Sequence, residues 1–287
     1  MLKRKRVGVN ATRSLGGTIA IVIVLLLFAA FFALPLIYVV SSAFKPLDEI
    51  FLFPPRFFVR NPTTDNFKDL LALMQQSWVP FSRYIFNTLY VTIVGTIGHV
   101  LVASLAAYAL AKHEFPGRRI LFQIVVMSLM FSAHVTAIPS YLIMAELGWI
   151  DTLWAIIIPN LGYSLGLFLM KQFMEQIPDT ILEAARIDGA GEFHTFWLIA
   201  MPNVKPAWIT LIIFVFQNLW NATGGNFIYR EEIKTFPYAL QQIQSGGIAR
   251  AGVSAAAALL MVSLPIILFI IAQSNVVLTM SAAGIKE

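Results

Sequence analysis

The segment "EAARIDGAGEFHTFWLIAMP", Glu183–Pro202, decides how this chain is read. Long apolar runs lie on either side of it. Within a dozen residues it carries Glu183, Arg186, Asp188, Glu192 and His194, punctuated by Gly189 and Gly191. One charge at the centre of a bilayer costs about 2.5–3.5 kcal/mol on the insertion scale, so Glu183, Arg186, Asp188 and Glu192 together would cost about 10 kcal/mol or more. The segment is therefore a loop, and the runs around it are candidates for the bilayer.

The loop has its own pattern. "TILE", Thr180–Glu183, fits a capping box behind Pro178 and Asp179. Gly189 suits a helix C-terminus, where φ turns positive. Beyond it, Phe193, Phe196, Trp197, Ala200 and Met201 follow the i, i+3, i+4, i+7, i+8 spacing of an amphipathic helix, which Pro202 would end. Such a helix either lies on the lipid surface or is presented to a partner's groove, and periodicity alone favours neither.

Composition agrees with membrane residence. Of 287 residues, 58% are hydrophobic and 12% charged, against about 45–50% and about 25% in soluble domains. There is no cysteine, which excludes a disulfide framework, a thiol nucleophile and a thiolate-ligated metal. The net charge of +5 comes from basic residues flanking apolar runs, so membrane flanks explain it better than nucleic acid.

A span needs roughly 20 apolar residues. The chain offers six, at 16–43, 84–111, 120–146, 153–171, 206–228 and 251–278. The first is too long for a signal-peptide core of about 7–15 residues and reads as an uncleaved span behind "KRKR". With the N-terminus inside, twelve of the 20 Lys and Arg fall on the inner side. That places both termini and the loop at 176–202 in the cytoplasm. The expected architecture is an all-α, six-helix membrane protein forming one domain over 1–287. The outer segments Phe44–Arg83 and Tyr229–Arg250 read as a short cap and a loop.

The spacing of the loop resembles the EAA loop of ABC importer permeases: Glu183-Ala184-Ala185, three residues, Gly189, nine residues, then Ile199-Ala200-Met201-Pro202. Met201 stands where that family usually has Leu, a swap that keeps volume and apolarity. "NTLYVTIVGTIGHVLVASLAAYALAKHEFPGRR", "IPDTILEAARIDGA" and "LTMSAAGIKE" extend the resemblance to the MalG-like carbohydrate-importer branch, from about Asn66 to the end. The resemblance implies a bacterial cytoplasmic-membrane subunit paired with a homologous permease, two cytoplasmic ABC ATPases and an extracytoplasmic solute-binding protein, with sugar as cargo and alternating access as mechanism. It also implies that the chain binds no cofactor, ATP and Mg being held by the ATPases. Glu183, Ala184, Ala185, Asp188, Gly189, Glu192, Phe193, His194, Phe196, Trp197 and Pro202 would dock into the ATPase, with about Glu192–Leu198 as the coupling helix. The tail Ala283–Glu287 would touch the ATPases too. Tyr238, Gln241, Gln242 and Gln244 would face the binding protein.

Other motifs point elsewhere and fail. No lysine follows a glycine, so no phosphate-binding Walker A sequence exists here. "QSGGI", Gln244–Ile248, resembles an ABC signature but falls outside by topology. "GYSLG", Gly162–Gly166, fits a nucleophile elbow on Ser164 but lies inside a span, where Gly-xxx-Gly serves helix packing. The four histidines lack metal-ligand spacing.

Polar groups inside spans are costly and face a cavity or one another. Measured from span midpoints, His99, His134, Tyr163, Ser164, Gln217 and Asn218 share a depth, with Asn160 and Asn221 a turn away. Neutral donors and acceptors suit a hydroxyl-rich cargo better than an ion. Interhelical hydrogen bonding explains any single one of them as well, at about 0.6 kcal/mol a pair. Glycerol phosphate, phosphate or an amino acid is the alternative cargo, and an intramembrane hydrolase using Ser164 the remote alternative.

Overall fold

The computed structural model describes residues 15–75 and 78–284, with side chains described up to residue 273. Of the tail Ala283–Glu287, residues 285–287 lie outside the described residues. Helix α1 (Leu15–Ala43) carries no charged residue and packs along the last helix, α14 (Ala251–Gly284). The connection behind α1 contains the one-turn helix α2 (Leu47–Ile50) and folds back on itself. The Asn66 amide donates to the carbonyls of Ala43 at 2.9 Å and Lys45 at 2.7 Å. The Glu49 carboxylate accepts the Arg60 N–H at 2.8 Å. Asn66 opens α3 (Asp65–Gln75), which packs on α14.

Helix α4 (Phe81–Lys112) is the centre of the fold. It packs against α7 (Trp154–Leu161), α8 (Ser164–Glu175) and α12 (Lys205–Trp220). Glycine allows this closeness at two crossings. A Cβ on Gly95 would stand 2.5 Å from Leu219 Cδ1, and one on Gly166 would stand 2.1 Å from His99 Nε2. One apolar core joins α4 to α8 and α12 through Val100, Met170 and Leu211. A second joins α3 and α4 to α13 (Phe236–Ser245) and α14 through Leu70, Tyr84, Phe236 and Ala257.

Among the described residues, four helices are long and apolar enough to cross a membrane: Gly16–Ala43, Phe81–Lys112, Trp154–Glu175 and Ala251–Gln273. A fifth follows if the bent pair Glu192–Asn203 and Lys205–Trp220 counts as one. Two sequence expectations are corrected. The run 120–146 is not one helix but two, α5 (Arg118–Ser128) and α6 (Ala133–Glu146). Serines make the break: Ser128 Oγ donates back to Val125 O at 2.6 Å, and Ser132 Oγ caps α6 by accepting the His134 N–H. The helix predicted over 206–228 stops at Trp220. Asn221 folds its amide back onto Gln217 O at 2.7 Å, and Gly224 and Gly225 then take φ of +83° and +49°. Part of the expected outer loop is helical, because Phe236, Ala239 and Ile243 give α13 a buried face.

Two devices tie the remote elements. The Asp151 backbone, at φ +62°, aims its carboxylate at the Tyr229 and Arg230 N–H groups, both 2.9 Å from Oδ1, while Arg230 Nε donates to Oδ2 at 2.6 Å. Pro265 has no N–H to give the carbonyl of Met261 one turn back, and the Trp220 indole N–H fills that place at 2.8 Å. Trp220→Phe keeps the ring and leaves a buried acceptor alone, so it is expected to cost about 1–3 kcal/mol. Thermal unfolding of the purified subunit or complex measures this, and an unchanged midpoint would remove the bond's role.

Candidate coupling elbow and polar cavity

The charged loop folds as a short helical relay. Helix α9 (Asp179–Ile187) is followed by Gly189 at φ +85°, then α10 (Glu192–Thr195), a π-helical turn Phe196–Ala200, and α11 (Met201–Asn203). The Gly189 turn returns the chain by donating Ala190 N–H to Ala185 O at 2.9 Å. Thr180 is not the cap that the "TILE" pattern predicts. Pro178 occupies the N-cap position and Asp179 begins the helix. Asp179 is held from outside instead, by Lys112 of α4 at 2.7 Å. Pro202 does not end its helix either. It sits in the first turn of α11, and the chain bends by 81° at Val204, two residues later. The Trp208 indole N–H, donating to Met201 O at 3.1 Å, bridges that bend.

The stripe is divided between an inward and an outward side. Phe196 is 2% exposed and meets Tyr108 edge-on at 5.3 Å, and Ala200 and Met201 are buried with it. Trp197 is half-buried against Phe196. Phe193 is on the outward side, 72% exposed. Ile187 at 85% and Leu198 at 61% are exposed too. Ala184, Asp188, Gly189, His194, Leu198 and Ile199 line a groove of about 600 Å³ between α9 and the relay. Glu183 is exposed on the same helix.

Ion pairs fix the relay to α9 and α4. Arg186 meets Glu192 at 2.9 Å, and the other Glu192 oxygen accepts from Tyr108 OH at 3.4 Å and lies 3.6 Å from His113 Nε2. Hydrogen bonding from Lys112, and then its charge, holds the Asp179 carboxyl below the usual carboxylate range. A carboxylate depressed in the folded state stabilises above its ordinary pKa, and the contribution is lost as pH falls through the folded value. Asp179→Asn should therefore lower the unfolding temperature slightly at neutral pH, with the difference closing below about pH 4. A difference that persists at low pH would contradict the pairing.

A second feature lies where α7, α8 and α12 meet. Asn160, Tyr163, Gln217, Asn218 and Asn221, with Leu165, Phe214 and Thr223, line a cavity of about 620 Å³. Asn218 donates to Asn160 Oδ1 at 2.8 Å, which links α12 to α7. Five of the eight polar residues that the sequence groups by depth thus share one wall system. His99 does not join them. It is 1% exposed, and its Nδ1 donates to Leu161 O at 3.0 Å. His134 does not either: the break between α5 and α6 puts it, exposed, in the first turn of α6. Ser164 pairs with Ser128 at 2.5 Å at the start of α8 and is not on a strand-to-helix turn. Leu165 and Phe214 escaped sequence reasoning, since an apolar residue in an apolar span gives no contrast, and the polar Thr223 was not singled out.

The third predicted set lies on α13. Gln241, Gln242 and Gln244 are exposed, and Tyr238 is held at its hydroxyl by Lys234 at 2.7 Å and Gln242 at 3.3 Å. Among the described residues no cluster of three His, Asp or Glu could hold a metal ion.

Comparison with known proteins places this geometry. Residues 99–280 match the family described as "Binding-protein-dependent transport system inner membrane component". The chain is 30% identical over 223 residues to the polygalacturonan/rhamnogalacturonan transport system permease protein YtcP of Bacillus subtilis, covering 74% of this chain and 72% of that one. It is 34% identical over 142 residues to the sn-glycerol-3-phosphate transport system permease protein UgpE of Yersinia enterocolitica, half of each chain. In fold it is similar to a chain of a bacterial ABC transporter involved in the import of the acidic polysaccharide alginate, at TM-score 0.77 and 23% identity over 92% of this chain and 98% of that one. The loop, the bent pair and the amide-lined cavity all fall within the matched residues, and the chain belongs to the family of binding-protein-dependent transport system inner membrane components.

Proposed function

We propose that this chain is one of two permease subunits of an ABC importer that moves a neutral sugar or oligosaccharide into the cytoplasm by ATP-driven alternating access. The observation that carries the cargo is the cavity wall, which holds four side-chain amides, a phenol and a hydroxyl but no carboxylate, Lys, Arg or His. Amides both donate and accept, as sugar hydroxyls require, and an anion would find no countercharge there. In this reading six passages cross the membrane, with α5 and α6 as the broken third and the relay plus α12 as the bent fifth. Both termini face the cytoplasm. One of two cytoplasmic ABC ATPases docks on this chain's loop, at the Gly189 turn and the exposed Phe193 and His194. The solute-binding protein meets α13 at Gln241, Gln242 and Gln244. Permease motion requires a stiff transmitter between ATPase and bundle. The relay, clamped by Arg186–Glu192 and Tyr108–Phe196 and bridged by Trp208, supplies one.

The glycerol phosphate system of the second relative supports another reading, an organophosphate cargo. The neutral cavity stands against it. ATPase stimulation of the reconstituted complex with its binding protein separates the two. Neutral oligosaccharides are expected to stimulate. Stimulation by sn-glycerol-3-phosphate or by uronic-acid oligosaccharides alone would overturn the neutral-sugar reading. Retained uptake in Ser164→Ala excludes hydrolysis at that serine.

A further inference from the structure

A groove of about 640 Å³ runs along the outside of the bundle between α4 and α12. Ile93, Ile97, Val100 and Leu101 form one wall and Ile212 and Phe216 the other, with the Thr96 hydroxyl the one polar group on these walls. At one end the groove reaches the bent relay, where Trp197, Met201, Pro202 and Trp208 close it. There Lys205, exposed at the corner of the 81° bend, is the one charged residue among the described residues that line it. Apolar walls along a span with a cation and two tryptophans at one end reproduce the polarity of a bilayer leaflet from tail to headgroup. Basic pockets between helices on the cytoplasmic side bind anionic headgroups.

We infer that this groove binds an anionic phospholipid, with an acyl chain between α4 and α12 and the phosphate on Lys205. The lipid would then touch both sides of the elbow: Trp197 and Met201 on the relay, Trp208 and Ile212 on the span. An occupied groove props the bend between them, so the lipid adjusts how firmly motion of the relay is passed to α12. This rests on the proposed coupling role for its consequence, but not for the binding itself.

The test uses the whole complex in nanodiscs of phosphatidylcholine, with and without phosphatidylglycerol. Binding is read as phosphatidylglycerol retained by the complex in native mass spectrometry, and coupling as substrate-stimulated ATPase. One basic side chain near the membrane surface is worth a factor of about five in anionic-lipid binding. Lys205→Glu should reduce retention by at least that factor and remove the stimulation by phosphatidylglycerol, while Lys205→Arg keeps both. Ile97→Trp, which fills the groove and leaves the cation, should lose retention as well. Equal retention by Lys205→Glu and wild type overturns the proposal. So does an efficient disulfide between Ile97→Cys and a cysteine on a helix of the second permease, because protein would then occupy the groove. Retention that follows Lys205 without any substrate-stimulated ATPase in wild type upholds the lipid site and refutes the transport reading.

Discussion

Gly189→Val is expected to uncouple the permease from its ATPase and reduce uptake at least tenfold. Space is not the reason, since a Cβ at Gly189 would meet nothing within 4 Å. Conformation is. At φ +85° an L-residue pays about 1–2 kcal/mol, and a β-branched one more. About 1.4 kcal/mol is already tenfold in an equilibrium. The turn relieves that strain by opening the Ala190 N–H to Ala185 O bond, which releases α10 and its exposed Phe193 from their angle to α9. Gly189→Asn separates conformation from bulk, because Asn tolerates the left-handed region. It should keep most of the ATPase co-purification that valine loses. Wild-type behaviour of the valine variant would show that the turn is not needed.

The second large effect concerns the bundle. Gly166→Ala puts a methyl 2.1 Å from His99 Nε2 and 2.6 Å from Leu211 Cδ1. His99 cannot swing aside cheaply, because it is 1% exposed and tied to Leu161 O. Overpacking of this kind costs about 1–3 kcal/mol or more. Here it forces α8 away from α4 and so disturbs Tyr163, which leads into α8 and lines the cavity. A marked drop in the unfolding temperature and in membrane accumulation is expected. Gly166→Ala with His99→Ala should recover part of the loss, since neighbours in contact do not add. Additive losses would mean that the two do not touch.

How much of this was legible in the sequence follows physical contrast. Gly189 could be read, because a glycine ending a charged helical segment has a conformational reason to be there. Gln217, Asn218 and Asn221 could be read, because amides in an apolar run have few reasons to be there except a cavity or one another. Phe214 and Leu165 could not, because only the fold tells which apolar residues face a cavity. His134 was grouped with the cavity by a depth that assumed an unbroken helix over 120–146. Local bonds from Ser128 and Ser132 break that helix, and hydropathy averaged over a window does not see them. The same averaging ran α12 on through Thr223, Gly224 and Gly225. The stripe spacing assumes 3.6 residues per turn across Phe196–Ala200, where the chain is π-helical, and it does not tell that Phe196, Ala200 and Met201 are buried in this chain while Phe193 is exposed. Thr180 and Pro202 carried correct helix-boundary signals placed one to two residues from where packing sets the ends.

Because the chain has no cysteine of its own, a single introduced thiol reports on the loop without background. His194 is exposed and lines the groove beside Gly189. His194→Cys, paired with single cysteines along the cleft of the ABC ATPase and oxidised in the assembled complex, is the most direct measurement of the coupling role. Rapid disulfide formation with the ATPase, at a rate that changes on ATP binding, is the predicted result. No disulfide with the ATPase in any nucleotide state, while the complex still hydrolyses ATP in response to substrate, would contradict it.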